Sequence, residues 1–451
     1  MTVQVGVART CLNPWWGVEL TGWGYYLQRT WIDVHDSLHA TALVIENKNS
    51  LIAIVSLDLM VISDQLTRLV RDLSSNITGI APGNILVCCT HTHNAPASGG
   101  LLGVGEVDPS YEEWAAKQAS TAVICAWRSQ ETATFRVGRA NVADLTYNRT
   151  RENGPIDPTL TVLRADRNDG SPLAVLVGFQ GHPTVSTVLR PRSVSRDIPG
   201  EVCNRIEDQL PGCTALYVQG ACGDVNFLRE FSNPRHEYEP AEQIASAAIQ
   251  ALEDGEALNS TEVRAKSKLL AMPTRRWTQQ EIDADRVEAE HRLQHHDTDG
   301  WRDSIGRVMT NRPDDMVARH GGNEWKAVEA MCRFNMQWTD RILRDLEDRP
   351  ESLETEIQAL RIGPFVIVSN ASEFFTTPAM QVREQVDTPY LTLACYANGR
   401  IGYVPDKHDV QRRTYAAYQS PKYCNQFPFT ETSGLVMADA MSELVNEITH
   451  S

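Results

Sequence analysis

The chain of 451 residues lacks the features that mark membrane-spanning, nucleic-acid-binding and secreted proteins. Its apolar runs all fall short of the roughly 18–20 residues that a membrane-spanning helix needs. Acidic residues outnumber basic ones by 58 to 42, and the formal charge of −16 disfavours nucleic acid and anionic membrane surfaces, which attract basic patches. The first residues also lack the basic and then apolar segments of a secretory signal. We therefore expect a cytoplasmic protein that makes no stable association with membranes or nucleic acid.

Cysteine is present, but not at the spacing that metal clusters or disulfide frameworks use. The ten cysteines include no CxxC pair, and two of them, Cys88 and Cys89, are neighbours inside an apolar run. This scatter is typical of reduced, buried thiols rather than of a disulfide-bonded domain or a structural zinc cluster. The apolar content of 42% and the charged content of 22% are those of an ordinary globular protein.

Short apolar runs alternate with amphipathic stretches along most of the chain, which is the pattern of an α/β protein. We predict strands at residues 40–46, 51–57, 84–89, 159–164, 173–179, 214–218, 356–362, 365–368 and 390–394. We predict helices at residues 63–73, 110–127, 199–210, 241–252 and 433–448. A capping box at residues 110–113 would begin the second of these helices. Together these elements indicate a mixed β-sheet core with flanking helices.

One stretch interrupts this pattern. Residues 274–349 are more polar, and apolar residues from Trp325 to Leu346 recur there at helical spacing. We interpret the stretch as a helical insertion or lid within a single domain that spans residues 1–451. Three of its histidines, His291, His295 and His296, include an i, i+4 pair that a metal can bridge. Their helix is highly charged, however, which favours exposure to water over metal binding.

Two histidines follow a predicted buried strand. The apolar run at residues 84–89 is followed by the sequence HTHNAP, so His91 and His93 stand at a strand's carboxyl end. Ligands of α/β sheets collect at such ends, and neutral imidazole is a common metal ligand. Either ring can bind a metal while the other faces the same pocket or turns away. The alternative is a pair of hydrogen-bonded polar residues at a strand-to-loop corner.

Other strand ends carry side chains of the same kind. His182, Glu373, Asp58 and Asp224 each follow a predicted strand. Two histidines and a carboxylate suit a zinc ion with an open coordination position, which is the arrangement of a catalytic site rather than a structural one. Such an ion lowers the pKa of a bound water towards about 7 and polarises a carbonyl group. The strand ends therefore predict a catalytic metal site.

The ordered motifs of the chain resemble those of the catalytic domain of neutral ceramidases, a family of zinc-dependent amidases. These motifs are HTHNAP at 91–96, Asn148-Arg149, Gly181-His182, Gly223-Asp224-Val225, Glu373 and Gly402-Tyr403-Val404. The resemblance covers nearly the whole chain and implies a ceramidase-like fold. We expect no counterpart of the immunoglobulin-like C-terminal domain that ceramidases carry.

The resemblance also implies a set of site residues. It places zinc on His91, His182, Glu373 and Tyr403, and it places His93, Arg149 and Tyr415 around the scissile carbonyl. In those positions, Arg149 and Tyr415 would donate hydrogen bonds to a developing oxyanion. His93 would carry a proton to the leaving amine, because imidazole has a pKa near 6.5.

The chain departs from the family at one position. Residues 223–226 read GDVN where ceramidases have GDVS, a serine that contacts the site in the family. Asn226 cannot attack a carbonyl, but its amide can hold a substrate or a water molecule by hydrogen bonds. The change therefore favours attack by a metal-activated water, and it argues against ceramide as the substrate.

We predict a zinc-dependent hydrolase that cleaves an N-acyl or cyclic amide bond of a soluble small molecule. An esterase or lactonase is the alternative, because the same metal and oxyanion donors act on both kinds of acyl bond. A non-catalytic zinc-binding relative is disfavoured, since the predicted catalytic side chains are not needed to hold a metal. A cysteine hydrolase that uses Cys222 or Cys89 is disfavoured as well, because Asp224 beside Cys222 would raise the thiol pKa.

Overall fold

The structure is a computed structural model that describes residues 3–48, 50–260, 262–302 and 313–450. Its strands are β1 (Val3–Cys11), β2 (Asp33–Val34), β3 (His39–Asn47), β4 (Ser50–Leu57), β5 (Ile85–Cys89), β6 (Glu131–Asn141), β7 (Thr146–Asn148), β8 (Thr159–Arg167), β9 (Pro172–Phe179), β10 (Ser193–Val194), β11 (Thr214–Gln219), β12 (Val225–Phe227), β13 (Glu256–Ala257), β14 (Val263–Pro273), β15 (Ser352–Ile362), β16 (Phe365–Ser369), β17 (Glu373–Phe374), β18 (Tyr390–Ala394) and β19 (Tyr403–Val404). Its α-helices are α1 (Asp64–Thr78), α2 (Pro109–Arg128), α3 (Val185–Leu189), α4 (Asp197–Gln209), α5 (Glu239–Glu253), α6 (Gln279–His295), α7 (Pro313–Arg319), α8 (Glu324–Ile342), α9 (Thr376–Gln385), α10 (Lys407–Arg412), α11 (Ser420–Tyr423) and α12 (Ser433–His450).

The strands form two larger sheets, and the predicted mixed α/β core is confirmed. The first has the order β11-β9-β8-β6-β1-β3-β4-β5, and the short β13 also pairs with β6. Its neighbouring strands are antiparallel except for β11–β9 and β4–β5, which are parallel. The second has the order β14-β15-β16-β18, with β16–β18 as its parallel pair. The consecutive strands β3–β4 and β8–β9 each form a hairpin.

The two sheets pack face to face. Ile45, Leu163 and Leu176 of the first sheet share one buried apolar cluster with Leu360 and Ile367 of the second. Because side chains along a strand alternate between the two faces, the outward faces remain for helices to cover. Helix α2 packs on β1 and β3, α5 on β6 and β8, and α12 on β14 and β15. The result is a layered arrangement of helices, sheet, sheet and helix.

The start of α2 differs from the prediction. The capping box at residues 110–113 is wrong, because Asp108 is the N-cap and its carboxylate accepts hydrogen bonds from the backbone N–H groups of Ser110 and Tyr111. Pro109 occupies the first helical position, where its missing N–H leaves no donor unpaired. An acidic cap also interacts favourably with the positive end of the helix dipole.

The helices α6, α7 and α8 lie between two strands that pair with each other. Strands β14 and β15 are antiparallel along their whole length, and Pro273 faces Ser352 where the chain leaves and re-enters the sheet. Helix α6 packs against α8, and α7 also contacts α8. Residues 303–312, part of the segment predicted as a helical insertion, lie outside the described residues. Among the helices that the structure describes, none is both long and apolar enough to cross a membrane.

Carboxyl ends of the parallel strands meet between the two sheets. The backbone N–H of Cys89, at the end of β5, donates to Tyr396 O just after β18, at 3.1 Å. Cys395 N in turn donates to Gln219 O at the end of β11, at 3.0 Å. These hydrogen bonds bring the segments that follow the three strands to one place, and those segments carry His91, Asn226 and Tyr403.

Candidate metal centre and active site

The backbone turns sharply at His91, the second residue after β5. His91 has a φ of 66°, a left-handed conformation that costs energy for a residue with a side chain. The turn ends the extended geometry and directs both histidines of the HTHNAP segment inwards, so that the rings of His91 and His93 lie 5.0 Å apart. Gly22 allows the neighbouring loop to approach, since a Cβ atom there would lie 2.6 Å from the His93 side chain.

Three imidazole nitrogens converge at this point. The Nε2 atoms of His91 and His182 are 3.2 Å apart, those of His93 and His91 3.4 Å, and those of His182 and His93 3.0 Å. All three rings are buried. A zinc ion with Zn–N distances of about 2.0–2.1 Å in tetrahedral geometry requires Nε2 atoms about 3.3–3.4 Å apart. The observed separations are close to that requirement.

Two carbonyl groups fix which nitrogens carry hydrogen. The Nδ1 of His91 donates to Met60 O at 2.8 Å, and the Nδ1 of His182 donates to Cys222 O at 3.1 Å. A carbonyl only accepts, so both rings carry their hydrogen on Nδ1 and present an Nε2 lone pair to the centre. Two lone pairs this close repel each other unless a cation lies between them. The donor set therefore fits a metal ion.

Burial keeps two of these rings neutral. It lowers the pKa of His182 well below 6.5, and the positive charge of Arg149 and the neighbouring imidazoles lower it further. Burial, followed by the His91 and Arg29 charges, likewise lowers the pKa of His93 well below its ordinary value. Neutral imidazole is the form that binds metals, so the protonation state agrees with the geometry.

Glu373 and Tyr403 are adjacent through the short parallel pair β17–β19, in which they are register partners. The Oε2 atom of Glu373 lies 3.3 Å from His91 Nε2. It is buried and accepts no hydrogen bond from the described residues, so it is available to a cation. The three histidines form the tightest group of candidate ligand atoms, all within 4.8 Å of one another, and Glu373 flanks it.

Arg149 forms hydrogen bonds with Tyr403 and with Asn226, the residue at which the chain departs from the ceramidase pattern. Its Nη2 atom donates to the Tyr403 hydroxyl at 2.8 Å and to Gly223 O at 2.7 Å, and its Nη1 donates to Asn226 Oδ1 at 3.4 Å. Burial lowers the pKa of Arg149, but Tyr403 and Glu373 raise it by more, so the net pKa is raised and the guanidinium stays charged. Strand pairing fixes the positions of Asn226 and Arg149. Strands β7 and β12 are antiparallel with Asn226 opposite Tyr147, and Arg149 directly follows β7.

A pocket of about 520 Å³ opens above the histidines. Its lining includes the predicted catalytic residues together with two of the predicted metal ligands: His93, Arg149, Asn226, Tyr415, His182 and Tyr403. Tyr415 begins a π-helical turn, Tyr415–Gln419, of a kind that is frequent at functional sites. Burial raises its pKa well above 10, so the phenol keeps its proton and acts as a donor.

The two aspartates predicted at strand ends have other roles. Asp58 accepts hydrogen bonds from His39 N at 2.8 Å and from Thr90 Oγ1 at 3.2 Å. Asp224 accepts from the backbone and hydroxyl of Thr376, both at 2.8 Å. Burial raises the pKa of each carboxyl to about 6. Both aspartates hold the loops around the site and do not join the group of candidate metal ligands.

The other histidines and the cysteines do not form a site in the part of the chain that the structure describes. His291 and His295 lie on the exposed surface of α6, away from the group of ligand atoms. Burial raises the pKa of the Cys222 and Cys89 thiols, and it, rather than a charge on Asp224, is the main cause. The Cys222 sulfur lies 3.0 Å from the Tyr396 hydroxyl, inside the protein.

Two aromatic residues of the site were missed in the sequence. Tyr396 stacks on the His91 ring at 3.9 Å with an interplanar angle of 24°, and its own φ is 56°. Trp23 meets the His93 ring edge-on at 6.1 Å. The glycines on either side of Trp23 were a usable signal, since they permit close approach of the loop. For Tyr396, the only signal in the sequence was its position shortly after a predicted strand.

These observations define a mixed α/β protein with a histidine cluster suited to a metal at the floor of a pocket. Solved structures share this fold. Neutral ceramidase from Pseudomonas aeruginosa superposes with a TM-score of 0.73 at 15% identity, covering 100% of this chain and 75% of that chain. A ceramidase complexed with C2 gives 0.72 at 14% identity, covering 100% and 76%. No protein-family model and no curated protein matches the sequence.

Proposed function

We propose that this protein is a zinc-dependent hydrolase that cleaves an amide bond of a small molecule. The observation that carries the proposal is the convergence of three imidazole nitrogens at the floor of the pocket that Arg149 and Tyr415 also line. The structural likeness to two solved ceramidases supports the same reaction class.

His91, His182 and Glu373 would hold the metal, with Tyr403 beside them. Two imidazoles and a carboxylate favour zinc among the common divalent ions. When bound, the metal supplies Lewis-acid polarisation of the scissile carbonyl and lowers the pKa of a water molecule. Support for this assignment comes from the two Nδ1–H groups that fix the histidine tautomers and from the free Oε2 of Glu373.

Arg149 and Tyr415 act on the carbonyl oxygen. Both line the pocket, and both keep their protons at pH 7 because the pKa of each is raised. As a carbonyl carbon becomes tetrahedral, its oxygen gains negative charge. Fixed donors that are already in place stabilise that charge without reorganising.

His93 moves the proton. It faces the pocket, so its imidazole can accept the proton that the attacking water loses, and its lowered pKa favours passing that proton on to the nitrogen of the leaving amine. An amide needs this transfer because an unprotonated amine anion is a poor leaving group. The position of His93 beside the two proposed ligands makes the metal content of a His93 variant a decisive measurement.

Asn226 positions the other groups. Its side-chain oxygen accepts a hydrogen bond from Arg149 at 3.4 Å, and its amide nitrogen can donate to substrate or water. Because that bond is long, we expect Asn226→Ala to lower kcat about tenfold, close to the lower end for a bond to a charged group, about 1.5 kcal/mol. The metal content should be unchanged. Unaltered turnover would remove this role.

The direct test is metal analysis of the purified protein followed by a panel of amides, lactams, esters and lactones. We expect about one zinc per chain and release of amine from one class of N-acyl or cyclic amide. Chelation should abolish the hydrolysis, and added zinc should restore it. Full activity in a metal-free preparation would refute the proposal. Cleavage of esters and lactones without any amine release would favour an esterase or lactonase, because the same donors stabilise that reaction.

A further inference from the structure

Helix α7 reaches the same pocket as the metal-binding histidines. Asp315, Ala318 and Arg319 line it together with Trp23 and Tyr26. The inserted helices therefore form one wall of the site, and the side chains on that wall meet whatever part of the substrate extends away from the scissile bond.

The guanidinium of Arg319 lies directly over an aromatic ring. Its Cζ is 3.4 Å from the centroid of the Trp23 ring, and that ring in turn lies 6.1 Å from the His93 ring. Trp23 thus contacts both the cation and the histidine cluster. The contact also fixes the plane of the guanidinium, because a cation over an indole face is held by the ring quadrupole.

Arg319 has no carboxylate of its own. Within the described part of the chain it forms no salt bridge, and the acid that raises its pKa most is Asp315, an exposed residue of the same helix. Burial lowers the Arg319 pKa to about 10, which leaves the group charged at pH 7. A half-buried cation without an anionic partner is costly. Arg333, on the neighbouring helix α8, pairs instead with Glu329 at 2.6 Å.

The charge of the pocket is opposite in sign to that of the protein. Three arginines line it, Arg149, Arg229 and Arg319, against the one acidic residue Asp315. The whole chain carries −16. Arg149 is committed to the reaction centre, and Arg229 lies at the exposed rim, where it donates to the Tyr147 hydroxyl. Arg319 is the cation placed to bind a group on the substrate.

We propose that the substrate is an N-acyl amide whose amine part carries a carboxylate, and that Arg319 binds this carboxylate while the acyl chain or amide plane lies along Trp23. The inference rests on the proposed function. A single planar guanidinium matches a carboxylate through two parallel hydrogen bonds. The class that results is that of N-acyl amino acids, cleaved to a carboxylic acid and an amino acid. Arg319 is a specificity residue with no part in the bond-breaking step.

The test compares two amides of equal size with the zinc-loaded enzyme. N-octanoylglycine carries the carboxylate, and N-octanoylglycinamide replaces it with a neutral amide; release of octanoate is measured for both. We expect wild type to prefer the anionic substrate by at least tenfold in kcat/KM. Arg319→Met should remove this preference through a 10- to 100-fold higher KM for the anion, with the neutral substrate unchanged. Arg333→Met, a matched exposed arginine of the same insertion, should behave like wild type.

Equal effects of Arg319→Met on both substrates, or a wild-type preference for the neutral one, would overturn the inference and leave the proposed hydrolase standing. The opposite case is a carboxylate site in a protein that does not hydrolyse amides. Calorimetric measurement of N-octanoylglycine binding to the same proteins detects it. Binding that weakens in Arg319→Met but not in Arg333→Met, without cleavage of any amide, would support the carboxylate site and refute the hydrolase. Absence of binding and of cleavage of the anionic substrate would overturn the carboxylate site.

Discussion

Replacement of Arg149 by lysine tests the proposed chemistry most sharply. The arginine spreads its donors over Gly223 O, the Tyr403 hydroxyl and Asn226 Oδ1, which a planar fork with several N–H groups can reach together. A lysine amine keeps the positive charge opposite Glu373 but has one nitrogen, so it cannot span these partners and also face a substrate oxygen. The variant therefore removes the geometry while preserving the charge.

Loss of one fixed oxyanion donor costs about 100- to 1000-fold in kcat, or about 2.7–4 kcal/mol. We expect Arg149→Lys to show a loss of that size, with little change in KM because the donor acts mainly on the transition state. Amine release gives the rate, and metal content together with the unfolding midpoint shows that the variant is intact. Arg151→Lys is the matched control, since Arg151 binds Asp406 at 2.6 Å outside the pocket lining. A kcat within threefold of wild type in the metal-loaded Arg149→Lys protein would refute the oxyanion role.

Three further predictions address the metal, the proton and the fold. His182→Ala should purify with far less than one zinc per chain while the exposed His291→Ala keeps its zinc; equal content in both would exclude His182 as a ligand. His93→Gln should lose about 100- to 10,000-fold in kcat and retain the metal, whereas loss of the metal would make His93 a ligand instead. Burial raises the pKa of Asp197 from 3.8 to about 7, so its ionisation opposes folding as the pH rises through that window, by about 4 kcal/mol at most. The free energy of unfolding of Asp197→Asn should therefore rise relative to wild type between about pH 4 and pH 7, and a difference independent of pH would contradict this account.

The position of the histidine cluster was predictable because a buried strand is recognisable from its run of apolar residues. The five residues of β5 are all buried, and the polar HTHNAP segment marks where the strand stops. The same strand-end signal pointed to Asp58 and Asp224. Both lie near the site, but they accept hydrogen bonds from its loops and do not join the candidate metal ligands. The local sequence around a carboxylate is the same whether it binds backbone N–H groups or a metal. The role therefore depends on partners that are distant in sequence.

The features that remained hidden depend on pairing between distant segments. Glu373 and Tyr403 are neighbours through a two-residue strand pair, which no local pattern specifies, and only the resemblance to ceramidases suggested it. The left-handed backbone of His91 and the stacking of Tyr396 on its ring follow from the packing of separate loops. The start of α2 was missed for a local reason: Asp108 and Ser110 both offer caps, and proline at position 109 favours the earlier one.

The division of the pocket between two parts of the chain has an evolutionary consequence. Its floor belongs to loops at the ends of sheet strands, where a shift in the backbone would move the histidines relative to one another. The wall that holds Arg319 belongs to helices that leave β14 at Pro273 and return at Ser352 of its own antiparallel neighbour. The same helices support the chemistry, because Phe334 of α8 packs 5.1 Å from the Tyr423 ring, which in turn lies 6.1 Å from the Tyr415 ring. Changes in this contiguous stretch of sequence would therefore alter the substrate wall and the position of the proposed oxyanion donor together.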